Sequence, residues 1–305
     1  MTPTRGPLLI ATLALLWGAN FLWIALALRG FTPVQLTFGR MILGAAVLLP
    51  IVILRRERLP CDVTTWSHLA VAGLIANAAP YLLFALGETR ISSGAAGTLN
   101  ATTPLWTLAL AVVLRQEPRP SSAQMAGFLL GFAGCLVMFS PWRDSGLDLL
   151  GGTYCLMAAL SYAISYIYMR RYLTPRDITP LTLSASQLLT ATAWTALSLP
   201  FGHPSHTSSP GLLPWAALLV LGLLGTGVAY IINYALIRSE GASGASVVTY
   251  LVPVVSLTLG TPIAAEPLSP SLIAGAVLVL AGIVLSRKRA KWLSPRLWHG
   301  RNPQH

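Results

Sequence analysis

The sequence predicts an all-α polytopic membrane protein, with ten transmembrane helices in two inverted five-helix repeats. Three observations support this fold class. Hydrophobic residues make up 54% of the 305 residues and charged residues only 10%, so a water-soluble fold could not bury the apolar side chains. Apolar stretches of about 20 residues recur, and a helix of that length crosses a hydrocarbon core of roughly 30 Å. Finally, the second half of the chain repeats features of the first.

The internal repeat becomes visible after a shift of 149 residues. Tyrosines, prolines, a Glu-Pro pair and glycines then coincide. Because a repeated unit with an odd number of spans enters the membrane from the opposite side, the two copies should be inverted, which is an architecture of transporters. The matched positions are Tyr81 and Tyr230, Pro104 and Pro253, Glu117-Pro118 and Glu266-Pro267, and, with a slip of one residue, Gly127 and Gly134 with Gly275 and Gly282.

Each copy contributes five predicted spans. The first repeat covers residues 7–140, the second covers 148–286, and a basic tail follows at 287–305. The first span lacks an Ala-x-Ala-like cleavage site and carries Trp17 and Asn20 in its interior, so we interpret it as mature structure and not as a signal peptide. The spans lie near residues 7–28, 33–54, 66–87, 93–115, 122–140, 148–169, 180–199, 212–238, 242–264 and 270–286.

The distribution of basic residues predicts the orientation. Outside the spans, sixteen Arg and Lys residues fall on one face and three on the other, so the positive-inside rule places the richer face and both termini in the cytoplasm. This asymmetry explains the net charge of +11 without nucleic-acid binding. The tail either lies along anionic membrane lipids or only flanks the last span. The sixteen are Arg5, Arg55, Arg56, Arg58, Arg115, Arg119, Arg170, Arg171, Arg176, Arg238, Arg287, Lys288, Arg289, Lys291, Arg296 and Arg301; the three are Arg29, Arg90 and Arg143.

Two matched prolines fall near the middle of predicted spans. Pro104 in the fourth span and Pro253 in the ninth each remove a backbone donor and should kink their helices. Backbone groups released inside a membrane need protein or a wet cavity as a partner, so matched interruptions point to a transport site. The alternative is that proline is simply common in membrane helices.

Polar and aromatic side chains form stripes at helical spacing in the first, third, fourth, sixth, eighth and ninth spans. Such polar groups are costly against lipid and should face the bundle interior, although hydrogen bonding between helices, about 0.6 kcal/mol on average, could explain some of them. The predicted substrate-binding residues are Trp17, Asn20, Phe21, Arg40, Asn77, Tyr81, Asn100, Tyr162, Tyr166, Gln187, Tyr230, Asn233 and Tyr250. The same stripes contain Phe84, Ser165, Thr226, Tyr234 and Thr249.

Arg40 is the single basic residue within a predicted span. It lies roughly 10 Å below the outer interface at 1.5 Å per residue, where a lone guanidinium costs at least ~2.5 kcal/mol. Two interpretations remain open: Arg40 meets a carboxylate of the substrate, or it caps the carbonyls of a neighbouring helix.

The sequence contains no pattern for a metal, a cofactor or catalysis. Its three cysteines suggest no disulfide or metal framework, and His203 and His206 share a predicted external loop without a third ligand. A membrane-embedded enzyme would lack the usual groups, since no His-Glu-x-x-His motif and no paired aspartates occur within the spans. A channel is a second alternative, and monomer and homodimer are equally compatible with the sequence.

Several of these features together resemble a known family. The Trp17-Gly18-x-Asn20-Phe21 motif, the intramembrane Arg40, the two Pro-x12-Glu units that begin at Pro104 and Pro253, and ten spans in two halves are similar to the EamA-type branch of the drug/metabolite transporter superfamily. The resemblance covers residues 7–286 and implies a basket-like bundle with a central cavity. The second copy departs from the first, since Tyr162 and Gln187 replace the tryptophan and the arginine.

The resemblance also implies a function. Members of the family move amino acids, nucleobases, sugars and toxic metabolites, and bacterial members usually export across the inner membrane. The aromatic residues of the expected cavity are similar to those of the YddG group, which exports aromatic amino acids. We therefore expect an alternating-access carrier of a small, partly apolar solute. Because none of the nine acidic residues is central in a span, facilitated flux or exchange is the simplest mechanism, and proton-coupled export of other metabolites or drugs is the alternative.

Overall fold

A computed structural model describes residues 5–91, 93–115, 120–139, 148–201, 210–255 and 270–287. These residues form helices and turns with no strand, so the chain is an all-α polytopic membrane protein, as the sequence predicts. Glu117, Glu266, His203, His206 and the tail after Arg287 lie outside the described residues. Five described segments are long and apolar enough to cross a membrane: Gly6–Ala27, Pro33–Leu54, Val63–Glu88, Leu149–Tyr172 and Leu212–Ser246.

The helices follow the predicted spans, several of them in two pieces. The total of ten spans stays a prediction, because the ninth is described only as far as residue 255. The helices are α1 Arg5–Gly18, α2 Asn20–Ala27, α3 Pro33–Leu54, α4 Val63–Gly73, α5 Ala79–Glu88, α6 Ser93–Asn100, α7 Thr103–Val113, α8 Ser122–Phe139, α9 Leu149–Tyr172, α10 Pro180–Ser198, α11 Leu212–Gly222, α12 Ala229–Ser246, α13 at residues 248–255 and α14 Pro270–Arg287.

Equivalent helices of the two halves begin with the same chemistry. Thr32 caps α3 and Thr179 caps α10, each accepting a hydrogen bond from a backbone amide three residues later and each followed by a proline. Outside the spans, Asp62 and Asp148 cap α4 and α9. Hydrogen bonds from the Thr65 hydroxyl to Asp62 and from the Gly151 amide to Asp148 hold the pKa of each carboxyl group below its usual value.

The halves contact each other through equivalent helices, α3 with α10 and α8 with α14. Glycines bring α8 and α14 together: a Cβ on Gly127 would lie 2.5 Å from the Ser286 amide nitrogen, and one on Gly282 would lie 2.5 Å from that of Gly131. These are the glycines that the repeat aligns, and small residues permit such close backbone contact. The inverted orientation of the halves and the division at residues 140 and 148 stay predictions.

Two π-helical segments interrupt the third and eighth predicted spans at equivalent positions. The first, π1, spans Leu74–Ala78 between α4 and α5, and the second, π2, spans Leu223–Val228 between α11 and α12. Their first residues are 149 apart, which is the shift that relates the repeats. A π-helical turn leaves carbonyl groups without their regular partners and is frequent at functional sites.

Other interruptions lie beside the matched prolines. Residues 101 and 102 separate α6 from α7, and Pro104 is the second residue of α7. In the second half, Gly241 kinks α12 with φ 79°, a conformation that favours glycine, and Val247 separates α12 from α13, which contains Pro253. The predicted loop at 239–241 therefore corresponds to a sharp bend.

Candidate functional site

The fold encloses a central cavity lined by side chains from both halves. Its volume is about 50 Å³, which is room for a few water molecules at about 10–15 Å³ each. A larger solute would therefore enter only if the lining moved. The lining residues are Trp17, Asn20, Phe21, Ile24, Arg40, Tyr81, Phe84, Asn100, Tyr162, Ser165, Tyr166, Tyr230, Asn233 and Thr249.

The structure brings ten of the thirteen predicted binding residues to this cavity: Trp17, Asn20, Phe21, Arg40, Tyr81, Asn100, Tyr162, Tyr166, Tyr230 and Asn233. Asn77, Gln187 and Tyr250 do not line it. Phe84, Ser165 and Thr249 belong to the same stripes but were not in the predicted set, and Ile24 gave no sequence signal because it is an ordinary apolar residue of an apolar helix. The binding roles of all these residues stay predictions.

Tyr250 lies away from the cavity for a clear reason. It is buried against α8, where its ring packs on Phe128 with a centroid distance of 6.2 Å and its hydroxyl donates to the Phe128 carbonyl at 2.8 Å. The preceding residue, Thr249, faces the cavity instead. The side chains of neighbouring helix residues point about 100° apart. Thr249 can therefore line the cavity wall while the adjacent Tyr250 packs against α8.

Gln187 and Asn77 form a buried polar link between helices. The Gln187 amide donates from Nε2 to Asn77 Oδ1 at 2.6 Å, and Tyr234 donates its hydroxyl to Gln187 Oε1. The link joins α10, π1 and α12. These residues thus hold the wall together, which matches the alternative explanation of hydrogen bonding between helices.

Aromatic rings connect the two halves across the cavity. Trp17 contacts Tyr230 edge to face with centroids 6.5 Å apart, and Tyr81 contacts Tyr162 edge to face at 6.2 Å. Phe84 stacks on Tyr162 at 5.8 Å. Each pair joins one ring of the first repeat to one of the second, so the wall offers aromatic surface from both halves to a flat apolar group.

Arg40 is held by an aromatic ring. Its guanidinium carbon lies 4.2 Å from the centroid of the Tyr81 ring, a cation–π contact worth up to about 2 kcal/mol when desolvated. Its Nε is buried and has no hydrogen-bond partner among the described residues. Arg40 thus contacts an aromatic ring. Within the described part of the chain, its Nε atom caps no helix carbonyl.

The matched prolines each follow, by four residues, a residue that lines the cavity. Proline has no N–H, so Pro104 cannot donate to the Asn100 carbonyl and Pro253 cannot donate to that of Thr249. Both Asn100 and Thr249 line the cavity. Each half therefore places the residue four positions before its matched proline at the same cavity.

The π-helical segments supply further contacts between the halves. Pro80 follows π1 and cannot donate to the Ala76 carbonyl, which accepts a hydrogen bond from the Tyr230 hydroxyl at 2.5 Å instead. In π2, the Gly225 carbonyl accepts from Asn20 Nδ2 at 3.4 Å. A Cβ at Gly225 would lie 2.1 Å from Asn20 Oδ1, so only glycine permits this approach.

Glu88 is the acidic residue at the end of α5, one turn beyond Phe84. Its Oε2 accepts a hydrogen bond from the Ser93 hydroxyl at 2.8 Å. Its Oε1 is buried without a partner in the described ranges, and Arg40 is near enough to act on it electrostatically. The carboxyl group thus lies at the end of the span Val63–Glu88, with one of its oxygens buried inside the protein.

An all-α bundle around an aromatic and polar cavity is typical of a membrane transporter. A family model described as the EamA-like transporter family matches residues 4–140 and 149–287. The chain therefore belongs to the EamA-like transporter family, within the drug/metabolite transporter superfamily. The family match falls in two copies, in agreement with the internal repeat.

Similar proteins cover almost the whole chain. An "Uncharacterized transporter" of Archaeoglobus fulgidus is 26% identical over 286 residues, covering 92% of this chain and 99% of the relative. The "Uncharacterized inner membrane transporter YedA" of Escherichia coli (strain K12) is 26% identical over 285 residues, covering 93% and 90%. "Uncharacterized protein PA1977" of Pseudomonas aeruginosa is 29% identical over 296 residues, covering 97% of each.

A solved crystal structure has the same fold. It aligns with a TM-score of 0.73 and 22% sequence identity, covering 93% of this chain and 96% of that chain. At this identity the likeness concerns the fold alone. Fold, family and relatives together make this chain a multi-pass membrane transporter.

Proposed function

We propose that the protein exports aromatic and hydrophobic amino acids across the bacterial inner membrane by alternating access. The observation that carries this proposal is the cavity wall, in which aromatic rings from both halves surround Arg40 and a few buried polar groups. Binding sites for small molecules commonly combine apolar walls with few polar groups that fix orientation. The similarity of the aromatic residues to the YddG group, noted from the sequence, supports the same substrates.

Alternating access fits the way the halves meet. The cavity is narrow, and the interrupted spans around it give the helices places to bend, as in transporters whose repeats rock about a central site. We infer facilitated flux or exchange as the mechanism, and release of the solute chemically unchanged. Both termini are proposed to be cytoplasmic because of the asymmetric basic residues.

Counterflow in liposomes tests the proposal. Liposomes that contain the purified protein are loaded in turn with each solute of a panel of amino acids, nucleobases, sugars and cationic drugs. Product analysis shows whether each solute is released unchanged. We expect saturable, trans-stimulated flux of aromatic and hydrophobic amino acids. Unsaturable flux would indicate a channel, altered products would indicate an enzyme, and flux of another class alone would reject the proposed substrates.

A pair of tryptophan variants tests whether the cavity is the binding site. Trp17→Ala removes a ring that lines the cavity, while Trp106→Ala removes a ring that is 44% exposed on the outside of α7. We expect the first variant to weaken transport and the second to leave it unchanged at equal membrane content. Equal effects of the two would place the site elsewhere.

A second candidate function is proton-coupled export of other metabolites or drugs. The observation that favours it is the half-buried Glu88, whose Oε1 atom is buried without a hydrogen-bond partner in the described structure. Intramembrane carboxyl groups commonly mark ion or proton pathways. Measuring solute flux with and without an imposed pH gradient separates the two candidate functions.

A further inference from the structure

Three buried polar side-chain atoms of residues that line the central cavity lack a hydrogen-bond partner. They are Arg40 Nε, Tyr166 Oη and Asn233 Oδ1, and all three have no partner among the described residues. The residues are 3%, 3% and 4% exposed, and each lines the cavity. A buried polar group left unpaired is destabilising, and more so when it is charged. Three such residues around one cavity indicate that the cavity is built to bond to something that enters it.

The chemistry of the three atoms is complementary. Arginine is a permanent cation that only donates, the tyrosine hydroxyl donates or accepts, and the asparagine oxygen only accepts. They lie on α3, α9 and α12, so both halves contribute. Arg40 and Tyr166 together suit a carboxylate, and Asn233 Oδ1 suits a protonated amine.

The surroundings leave Arg40 available for an anion. Its guanidinium rests on the Tyr81 ring at 4.2 Å, which positions it without using Nε. Within the described residues it forms no ion pair: the carboxylates that have a basic partner, Asp148 and Asp62, pair with Arg90 and Arg176. Among the described residues Arg40 therefore contacts the Tyr81 ring and forms no ion pair with a carboxylate, while Glu88 acts on it only electrostatically.

We propose that Arg40 and Tyr166 bind the carboxylate of a zwitterionic α-amino acid and that Asn233 binds its ammonium group, so that these three residues determine specificity. The inference rests on the proposed function and adds to it the orientation of the amino acid within the cavity. The side chain of the amino acid then lies against the aromatic wall. An analogue that lacks either charged group leaves at least one of the three atoms unpaired, so it binds more weakly.

Three probes with the same phenyl ring test the wild-type protein. L-phenylalanine carries both groups, phenethylamine lacks the carboxylate, and 3-phenylpropionate lacks the amine. Binding to the full-length protein in detergent is measured by calorimetry or tryptophan fluorescence. One charge-assisted hydrogen bond is worth about 1.5–3 kcal/mol, so each analogue should bind at least about tenfold more weakly than phenylalanine. Equal binding of phenylalanine and either analogue, or no binding of phenylalanine, would overturn the inference.

Variants assign each group to its residue. Tyr166→Phe deletes a hydroxyl without a partner, so it should leave thermal stability unchanged while reducing the preference for phenylalanine over phenethylamine. Arg40→Gln should reduce the same preference further, and Asn233→Leu should reduce the preference for phenylalanine over 3-phenylpropionate. If Arg40→Gln fails to fold, Tyr166→Phe and Asn233→Leu still decide the matter. Unchanged preferences would mean that water alone pairs with these atoms.

The outcome is distinct from that of the transport test. A protein that shows counterflow of panel solutes but has unchanged probe preferences in the variants keeps the proposed function and loses this orientation. Absence of flux for every solute in the panel would instead reject the proposed function itself.

Discussion

Asn100 and Thr249 occupy equivalent positions in the two repeats, 149 residues apart, and both line the central cavity. Each lies four residues before a matched proline, which has no N–H to donate to its backbone carbonyl. The Asn100 side chain also accepts a hydrogen bond from the Thr103 hydroxyl at 3.3 Å. The repeat thus places one equivalent polar residue from each half at the same site.

Substitution at this pair should weaken transport. Asn100→Ala and Thr249→Val each remove a polar group from the cavity wall, and loss of one hydrogen bond of about 1 kcal/mol corresponds to roughly fivefold weaker apparent affinity. The measurement is KM in liposome counterflow for the transported solute. Tyr250→Phe is the matched control, because Tyr250 faces α8; it should lower the thermal midpoint and leave KM unchanged. A larger KM effect in the control than in the pair would contradict the assignment.

The contrast between Thr249 and Tyr250 illustrates how far the sequence predicts the site. The shift of 149 residues, the matched prolines and the stripes were enough to predict most of the lining. Which of two adjacent polar residues faces the cavity depends on where neighbouring helices pack, and no local pattern encodes that. Gln187 shows the same limit, since its partners Asn77 and Tyr234 lie on other helices.

The π-helical segments could not be predicted from the sequence, for a different reason. Pro80 indicates a broken hydrogen bond in the third span, but π2 has no proline at the equivalent position, where Ala229 stands. What the two segments share is a contact with the other half, through Tyr230 in one case and Asn20 in the other. Their conformation therefore depends on tertiary contacts as well as on local sequence.

A double-mutant cycle tests the contact at π1. Tyr230→Phe removes the donor to the Ala76 carbonyl, leaving a buried acceptor unpaired at a cost of about 1–3 kcal/mol. Pro80→Ala restores a backbone N–H that can donate to the same carbonyl. We expect Tyr230→Phe to lower the thermal midpoint in the wild-type background and to have a smaller effect in the Pro80→Ala background. Additive effects would show that the hydroxyl does not replace the missing amide.

Close packing of α8 on α14 should make Gly282 intolerant of substitution. In Gly282→Ala the new methyl group would lie 2.5 Å from the Gly131 amide nitrogen, and backbone atoms cannot move aside as a side chain can. Overpacking of this kind typically costs about 1–3 kcal/mol. Gly152→Ala is the control, because its Cβ would meet no described atom nearer than Leu99 Cδ1 at 3.9 Å. Thermal unfolding in detergent should show a clear loss for Gly282→Ala only; equal midpoints would argue against the tight crossing.

The native cysteines offer a test of the proposed topology. Cys61 is exposed in the loop before α4, whereas Cys135 and Cys155 are fully buried. An impermeant maleimide should therefore leave the protein unlabelled in intact cells and label Cys61 after lysis. Cys61→Ser is the control and should abolish labelling in both conditions. Labelling of Cys61 from outside would reverse the orientation that the basic residues predict.

Energy coupling is the prediction that separates the two candidate functions. The sequence places no acidic residue near the middle of a span, so transport should not require a pH gradient. Glu88, however, has one buried carboxyl oxygen and lies within electrostatic range of Arg40. In liposomes with the membrane potential clamped, we expect the same initial rate of solute flux with and without an imposed pH gradient, and no uphill accumulation. Glu88→Gln keeps the acceptor for the Ser93 hydroxyl but cannot carry a proton, so it should remain active. Accumulation that requires the gradient, disappears when an ionophore collapses it, and is lost in Glu88→Gln would instead establish proton-coupled transport through this carboxyl group.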